Sequence, residues 1–459
     1  MPNRSVTEFV SAVILGSRPR EGEAPVVRGA PWLGSAIDFG RDAPAFLADC
    51  RRRHGDVFTL TVAGQRMTFV LDPHSHAAVL KLQGDLSFHE LAHEISARAF
   101  GHELLRGERA AAMERATAAH LKGPALATLN ERAQERLDAW LRGASVDAER
   151  PVELYDLVRR ALFAVGAETL FGDGRWDDAA RADFERFDRS FPLLAAGAPA
   201  ALLGVRGARA RLAARLRPGA SNASAMCQQR AAAMGAGALP TRSGASICRC
   251  SGPPSRTPSP PRSGPLAHLA ADADARARVV DEVRAHAAGG GSAAPSSPHA
   301  LPWLQSAVSE ALRLSSASIT LRRALRPTAL TLDGGRAYAV RAGDLVCLFP
   351  WLMHHDAEIF PEPERFRGDR FLPGAPPFTK GGRRLATPLM PYGGGVSLCP
   401  GRHLANAEIR QFVFAVLARF DLEATRDAVP PADHSRAGLG VLPPRGDFPV
   451  RLRRAPPTP

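Results

Sequence analysis

Near its C-terminal end the chain runs Pro391-Tyr392-Gly393-Gly394-Gly395-Val396-Ser397-Leu398-Cys399-Pro400-Gly401-Arg402. Three consecutive glycines carry no Cβ, so the backbone can pass close to a flat ligand. Pro400 stands at a position suited to a first helical residue, and the apolar-periodic run His403 to Phe420 predicts a helix behind it. That places Cys399 at a helix N-terminus, where the dipole favours a thiolate. A thiolate beneath a glycine-rich loop is suited to axial ligation of a haem iron. Three other readings compete. A lone cysteine is commonly a small buried hydrophobe. A phosphate-binding loop would need Gly-Lys-Ser/Thr, which does not follow. A zinc site needs four ligands at suitable spacing. The cysteines at 50, 227, 248, 250, 347 and 399 offer only the pair Cys248-x-Cys250.

Two upstream motifs narrow the choice. Glu310-Ala311-Leu312-Arg313 lies on an apolar-periodic stretch with Trp303, Leu304, Val308 and Leu312, so Glu310 and Arg313 share a helix face. Further on comes Pro363-Glu364-Arg365-Phe366-Arg367-Gly368-Asp369-Arg370-Phe371. Taken in order with the cysteine loop, these segments resemble the cytochrome P450 superfamily, with Tyr392 where most members have Phe. The resemblance implies a mainly α fold with small β-sheets. It implies haem b bound through Cys399, with Tyr392, Gly393, Gly395 and Arg402 in the cofactor loop and Arg322 reaching a propionate. Ser397 stands where many members carry a second propionate-binding arginine. The resemblance also implies a triad of Glu310, Arg313 and Arg370 that braces the thiolate loop from behind.

Further segments point to one branch of that superfamily. Leu312 to Ser318, Leu352-Met353-His354, Asp356 to Ile359, Ala97 to His102, Phe187-Asp188-Arg189-Ser190-Phe191-Pro192 and Asp433 to Pro444 resemble cholesterol 7α-hydroxylases. Sterol 12α-hydroxylases, oxysterol 7α-hydroxylases and prostacyclin synthases are near relatives, and Trp32-Leu33-Gly34 is as close to the last of these. The branch implies hydroxylation of a sterol, cholesterol at the 7α position first, in bile acid synthesis. A 12α-hydroxylase, a prostacyclin-synthase-like isomerase and a non-catalytic haem binder are the alternatives. Substrate contacts would come from Ser315, Ala317, Ser318 and Ile319 and from Leu439, Val441 and Leu442. Dioxygen and an NADPH-dependent cytochrome reductase would be partners, at the cytosolic face of the endoplasmic reticulum membrane.

Composition agrees with this. A chain of 459 residues, 45% hydrophobic and 23% charged, can bury a large core. The net charge of +13 is spread along the chain without a nucleic-acid motif, so an acidic electron-transfer protein suits it better than nucleic acid or an anionic membrane; the superfamily resemblance separately implies contact with a membrane surface. Few cysteines without a framework suit a reducing compartment. The N-terminal apolar run Phe9 to Gly16 is shorter than the roughly 20 residues of a spanning helix, and Pro19, Pro25 and Pro31 resemble the hinge that follows a microsomal anchor. Residues 1–24 therefore read as a short segment and hinge. Residues 25–459 read as the haem-thiolate monooxygenase domain.

Within that domain Val57 to Leu71 predicts a hairpin around Ala63-Gly64. Residues 108–142 and 151–171 predict helices, Tyr338 to Phe349 strands, and Gly438 to Leu452 a hairpin turned at Pro443-Pro444-Arg445-Gly446. Residues 218–264 interrupt the pattern. Gly252 to Gly264 is rich in Pro, Ser, Gly and Arg, a composition unfit for a helix. The superfamily resemblance places a long helix here, crossing the distal haem face and carrying a proton-delivering Thr. A disordered insertion is one reading. The other is a change of reading frame: codons for Arg249 to Gly264, read two bases later, can spell VLWASQSNTIPATFW, which resembles the distal helix of the 7α-hydroxylase branch, its Asn-Thr pair included.

Overall fold

The computed structural model describes residues 20–30, 33–101, 106–144, 147, 149–172, 176–215, 223–234, 260–295 and 297–455, with backbone alone at 230–234, 260–263 and 397. Helices predominate, and the sheets are small. The largest sheet orders its five strands Val57–Val62, Gln65–Val70, Leu345–Leu348, Thr320–Ala324 and Leu86–Ser87. Its first pair is the expected hairpin, with Phe58 opposite Phe69 and Leu60 opposite Met67. The turn needs two left-handed residues, and Ala63 (φ 47°) and Gly64 (φ 80°) supply them. Leu345–Leu348 is buried along its whole length, as befits an inner strand.

The helical core joins Leu154–Phe171, Ala273–Ala288, Pro302–Ser315 and Arg402–Leu417 through Val158, Val279, Val283, Leu304, Val308, Phe412 and Val416, all buried. Pro302–Ser315 shows why such a helix forms. Pro302 opens it where no N–H is needed. The Glu282 carboxylate of the preceding helix accepts the Trp303 and Leu304 N–H groups at 3.0 and 2.9 Å, satisfying donors a helix start leaves unpaired. Leu304, Val308, Ala311 and Leu312 then recur on one face.

Four expectations are corrected. The stretch 108–142 is two helices, Gly107–His120 and Gly123–Gly143, broken at Leu121-Lys122, with Gly123 left-handed at φ 52°. The helix after the cysteine loop begins at Arg402 and ends at Leu417, so Pro400 precedes it, and Phe420 opens a strand. Gly438 to Leu452 is not a hairpin. Pro449–Arg454 pairs with Phe420–Ala424 and Val152–Glu153, while residues 438–442 pair with 315–319. Pro443 and Pro444 lack N–H donors, so the two arms leave for different partners. Lastly, 218–264 includes helix: Ala225–Met234, and Pro260–Ala271, which starts on two prolines where missing N–H groups cost little. The frame-shifted string lies outside the described residues up to 259.

Candidate functional site

Cys399 ends a tight loop. Its N–H donates to the Tyr392 carbonyl at 3.1 Å, and its own carbonyl accepts from the Arg402 N–H at 3.3 Å and from Arg402 Nη1 at 3.2 Å. Tyr392 is tied onward, its hydroxyl donating to Asn406 Oδ1 at 3.0 Å on the following helix. Gly393 and Gly395 are left-handed, φ 75° and 64°, a conformation other residues adopt only at a cost. A Cβ on Gly394 would lie 2.7 Å from Leu80 Cδ1. The glycine run is thus required by turn geometry and close packing. The thiol itself is half-buried.

Glu310, Arg313 and Arg370 meet behind this loop. The Glu310 carboxylate is fully buried. It accepts from Arg313 Nε at 2.8 Å and Nη2 at 2.9 Å, from Arg370 Nε at 3.0 Å, and from the Arg367 main-chain N–H at 3.1 Å. Both guanidiniums lie over the Phe360 ring, at 5.0 and 6.0 Å from its centroid. His354, which the sequence marked only as part of the segment Leu352-Met353-His354 and not as a bracing residue, links this network to the loop. Its carbonyl accepts from Arg313 Nη1 at 2.5 Å, and its ring Nε2 accepts the Met390 N–H at 3.0 Å, one residue before Pro391. Burial pushes the His354 ring well below the usual histidine range, which keeps it neutral and able to accept.

Arg322 is buried and projects toward the same loop, donating to the Gly394 carbonyl at 3.1 Å and the Leu321 carbonyl at 2.8 Å. Among the described residues no carboxylate pairs with it, and burial alone lowers its pKa. A buried cation that meets two carbonyls and the Phe88 ring, 5.8 Å from its centroid, but no carboxylate is suited to an anionic ligand. A half-open thiol, a Cβ-free backbone run and an unmatched buried arginine together fit a haem: the thiolate for iron, the glycines for the ring, Arg322 for a propionate.

The two segments expected to touch substrate lie side by side. Gly438 N–H donates to the Ala317 carbonyl at 2.7 Å, Ala317 N–H to Gly440 at 2.9 Å, and Leu442 N–H to Ser315 at 2.8 Å. Their side chains divide. Ala317 and Leu442 enter the apolar cluster of Phe58, Phe69 and Trp351, and Val441 joins the helical core. The Ser315 hydroxyl is spent on the Ala311 carbonyl at 2.6 Å. Ser318, Ile319 and Leu439 remain partly open. Gly438 sits at φ 96°, and a Cβ there would come 3.3 Å from Ile319 Cδ1.

Known proteins resemble the chain along most of its length. A family model described as Cytochrome P450 matches residues 25–196 and 257–450. The cholesterol 7-alpha-monooxygenase of Cricetulus griseus is 31% identical, covering 95% of this chain and 94% of that protein. The 7-alpha-hydroxycholest-4-en-3-one 12-alpha-hydroxylase of Oryctolagus cuniculus is 32% identical, covering 95% and 94%. Prostacyclin synthase of Homo sapiens is 32% identical, covering 95% of each. Among solved structures, a retinoic acid bound cyanobacterial CYP120A1 superposes with a TM-score of 0.72 at 19% identity, over 94% of this chain and 99% of that one, a likeness of fold.

Proposed function

The chain belongs to the cytochrome P450 family, a haem-dependent monooxygenase supplied with electrons by a reductase, and on that premise we propose that it hydroxylates a sterol, cholesterol at the 7α position first. The observation that carries the reading is similarity to sterol hydroxylases over nearly the whole of both chains, together with the Ala317-Ser318 and Arg436-Ala437-Gly438-Leu439 segments. When bound, haem supplies the activation of dioxygen. The residues divide the remaining work. Cys399 is the iron ligand. Arg322 holds a propionate. Tyr392, Gly393, Gly395 and Arg402 shape the loop around the ligand. Glu310, Arg313 and Arg370, acting through His354, keep that loop from shifting. Ser318, Ile319 and Leu439 offer the small or apolar surface a flat sterol needs, with Ser315, Ala317, Val441 and Leu442 fixing it from behind.

In this reading the electron donor is an NADPH–cytochrome reductase and the site of action is the cytosolic face of the endoplasmic reticulum membrane. Among the described residues no helix is long and apolar enough to cross a membrane. Residues 25–459 act as one monooxygenase domain, interrupted at 218–264. The test is incubation with cholesterol and a reductase, with product analysis by mass spectrometry. A 7α-hydroxysterol supports the reading. Hydroxylation at C12 of a 7α-hydroxylated sterol moves the assignment to the 12α-hydroxylases. Isomerisation of a prostaglandin endoperoxide without reductase replaces it with the prostacyclin-synthase reading.

A further inference from the structure

The helix Asp178–Ala196 contains a proline at position 192. Proline has no N–H, so the carbonyl four residues earlier, that of Asp188, loses its helical partner. The missing donor arrives from the far end of the chain. Arg436 Nη2 lies 3.3 Å from the Asp188 carbonyl oxygen and 3.0 Å from Asp188 Oδ2. One guanidinium thus satisfies the freed carbonyl and neutralises the adjacent carboxylate. Both side chains are about four-fifths buried, so the pair is shielded from the screening that weakens exposed ion pairs. Burial tends to raise the Asp188 carboxyl, and Arg436 opposes that shift.

Arg436 closes the short turn His434–Arg436. The other end of this turn is also held. His434 Nδ1 lies 3.1 Å from each carboxylate oxygen of Asp42, and Asp42 caps the helix Ala43–His54 by accepting the Ala45 N–H. Two residues past Arg436, Gly438 enters the pairing with Ala317 and Ile319. The turn is therefore pinned on both sides immediately before the strand that lines the proposed substrate space.

We propose that Asp188 and Pro192 form a socket for Arg436, and that this socket sets the position of the helix Asp178–Ala196 relative to the paired segments 315–319 and 438–442, and so positions a bulky ligand between them. Arg436, Asp188 and Pro192 are positioning residues, since none is required to touch the ligand. The ligand-holding part rests on the reading that these segments contact substrate; the mechanical part does not.

The experiment compares Arg436→Met, Arg436→Lys and Pro192→Ala in the full chain. Pro192→Ala returns a helical N–H to compete for the Asp188 carbonyl, and it favours the helix, so loss of folding does not account for its effect. Hydrogen exchange followed by mass spectrometry needs no haem. Arg436→Met is expected to speed exchange in the peptide spanning 437–442 at least tenfold while the peptide spanning 402–417 is unchanged. Arg436→Lys is expected to recover part of the protection, and Pro192→Ala to act in the same direction as Arg436→Met but less. In haem-loaded protein, Arg436→Met is expected to weaken binding of clotrimazole, a bulky azole, at least tenfold more than binding of imidazole. Unchanged exchange at 437–442, or an equal rise throughout the chain, overturns the socket. Faster exchange with an unchanged clotrimazole-to-imidazole ratio overturns the positioning of ligand. Absence of a cholesterol-induced spectral change in the unsubstituted protein, with the azole ratio shifting as expected, refutes the sterol assignment alone.

Discussion

Replacing Glu310 by Ala removes one carboxylate that four donors share. Arg313 contributes two hydrogen bonds, at 2.8 and 2.9 Å, Arg370 one at 3.0 Å, and the Arg367 main chain one at 3.1 Å. All of Glu310 and Arg313 is buried, and Arg370 nearly so. The substitution leaves two guanidiniums inside the protein with no counter-charge. Breaking a buried pair from one side costs about 3–5 kcal/mol, against a net stability of about 5–15 kcal/mol for a typical domain. The loss is thus a large share of the whole, and the expected result is a marked drop in the urea midpoint and in haem retained per chain. Glu310→Gln keeps acceptor capacity but no charge, and should fall between. The triple change Glu310→Leu, Arg313→Met, Arg370→Leu should recover much of the midpoint, because exchanging a whole buried ion group for apolar residues is often close to neutral. It should not recover the haem spectrum if the network aligns the Cys399 loop through His354. A Glu310→Ala protein with an unchanged urea midpoint and full haem content would refute the reasoning.

Four other outcomes are expected. Cys399→Ala should abolish the thiolate-type band of the reduced carbon monoxide complex; persistence of that band removes Cys399 as ligand. His354→Phe deletes the acceptor of the Met390 N–H and should convert the thiolate-type band to the thiol-type band while Glu310 and Arg313 stay paired, which the band ratio reads. Burial lowers His76 from 6.5 to about 4, so between those values the unfolded chain takes up a proton that the folded chain does not. Stability should fall as pH drops from about 6.5 to about 4, by up to about 1.4 kcal/mol per pH unit from this group, and urea midpoints of His76→Leu should show that much less slope. Finally, the transcript over Arg249 to Gly264 should encode VLWASQSNTIPATFW in another frame; bases that spell no such string in any frame would defeat the frame argument.

Sequence alone determined the features that depend on local covalent chemistry. The loop Tyr392 to Arg402 announces its chemistry because left-handed turns and close backbone approach admit little besides glycine there. The hairpin at Ala63-Gly64 and the helix around Glu310 were legible for the same reason: turn residues and a 3.6-residue period act within a few positions. Arg370 could be set beside Glu310 only through a family pattern, since 60 residues separate them. Tertiary structure decided what depends on partners distant in the chain. His354 joins Arg313 to Met390 through a main-chain carbonyl and one ring nitrogen, neither of which leaves a mark in composition or period. Arg436 finds Asp188 across 248 residues, and only the fold shows that Pro192 freed the carbonyl it fills. The stretch 438–452 misled because the turn residues Pro443-Pro444-Arg445-Gly446 foretell a reversal but not the partner that each arm takes. With prolines at 443 and 444 unable to donate, one arm joined Ser315–Ile319 and the other Phe420–Ala424, a choice made by packing and hydrogen-bond satisfaction across the whole chain.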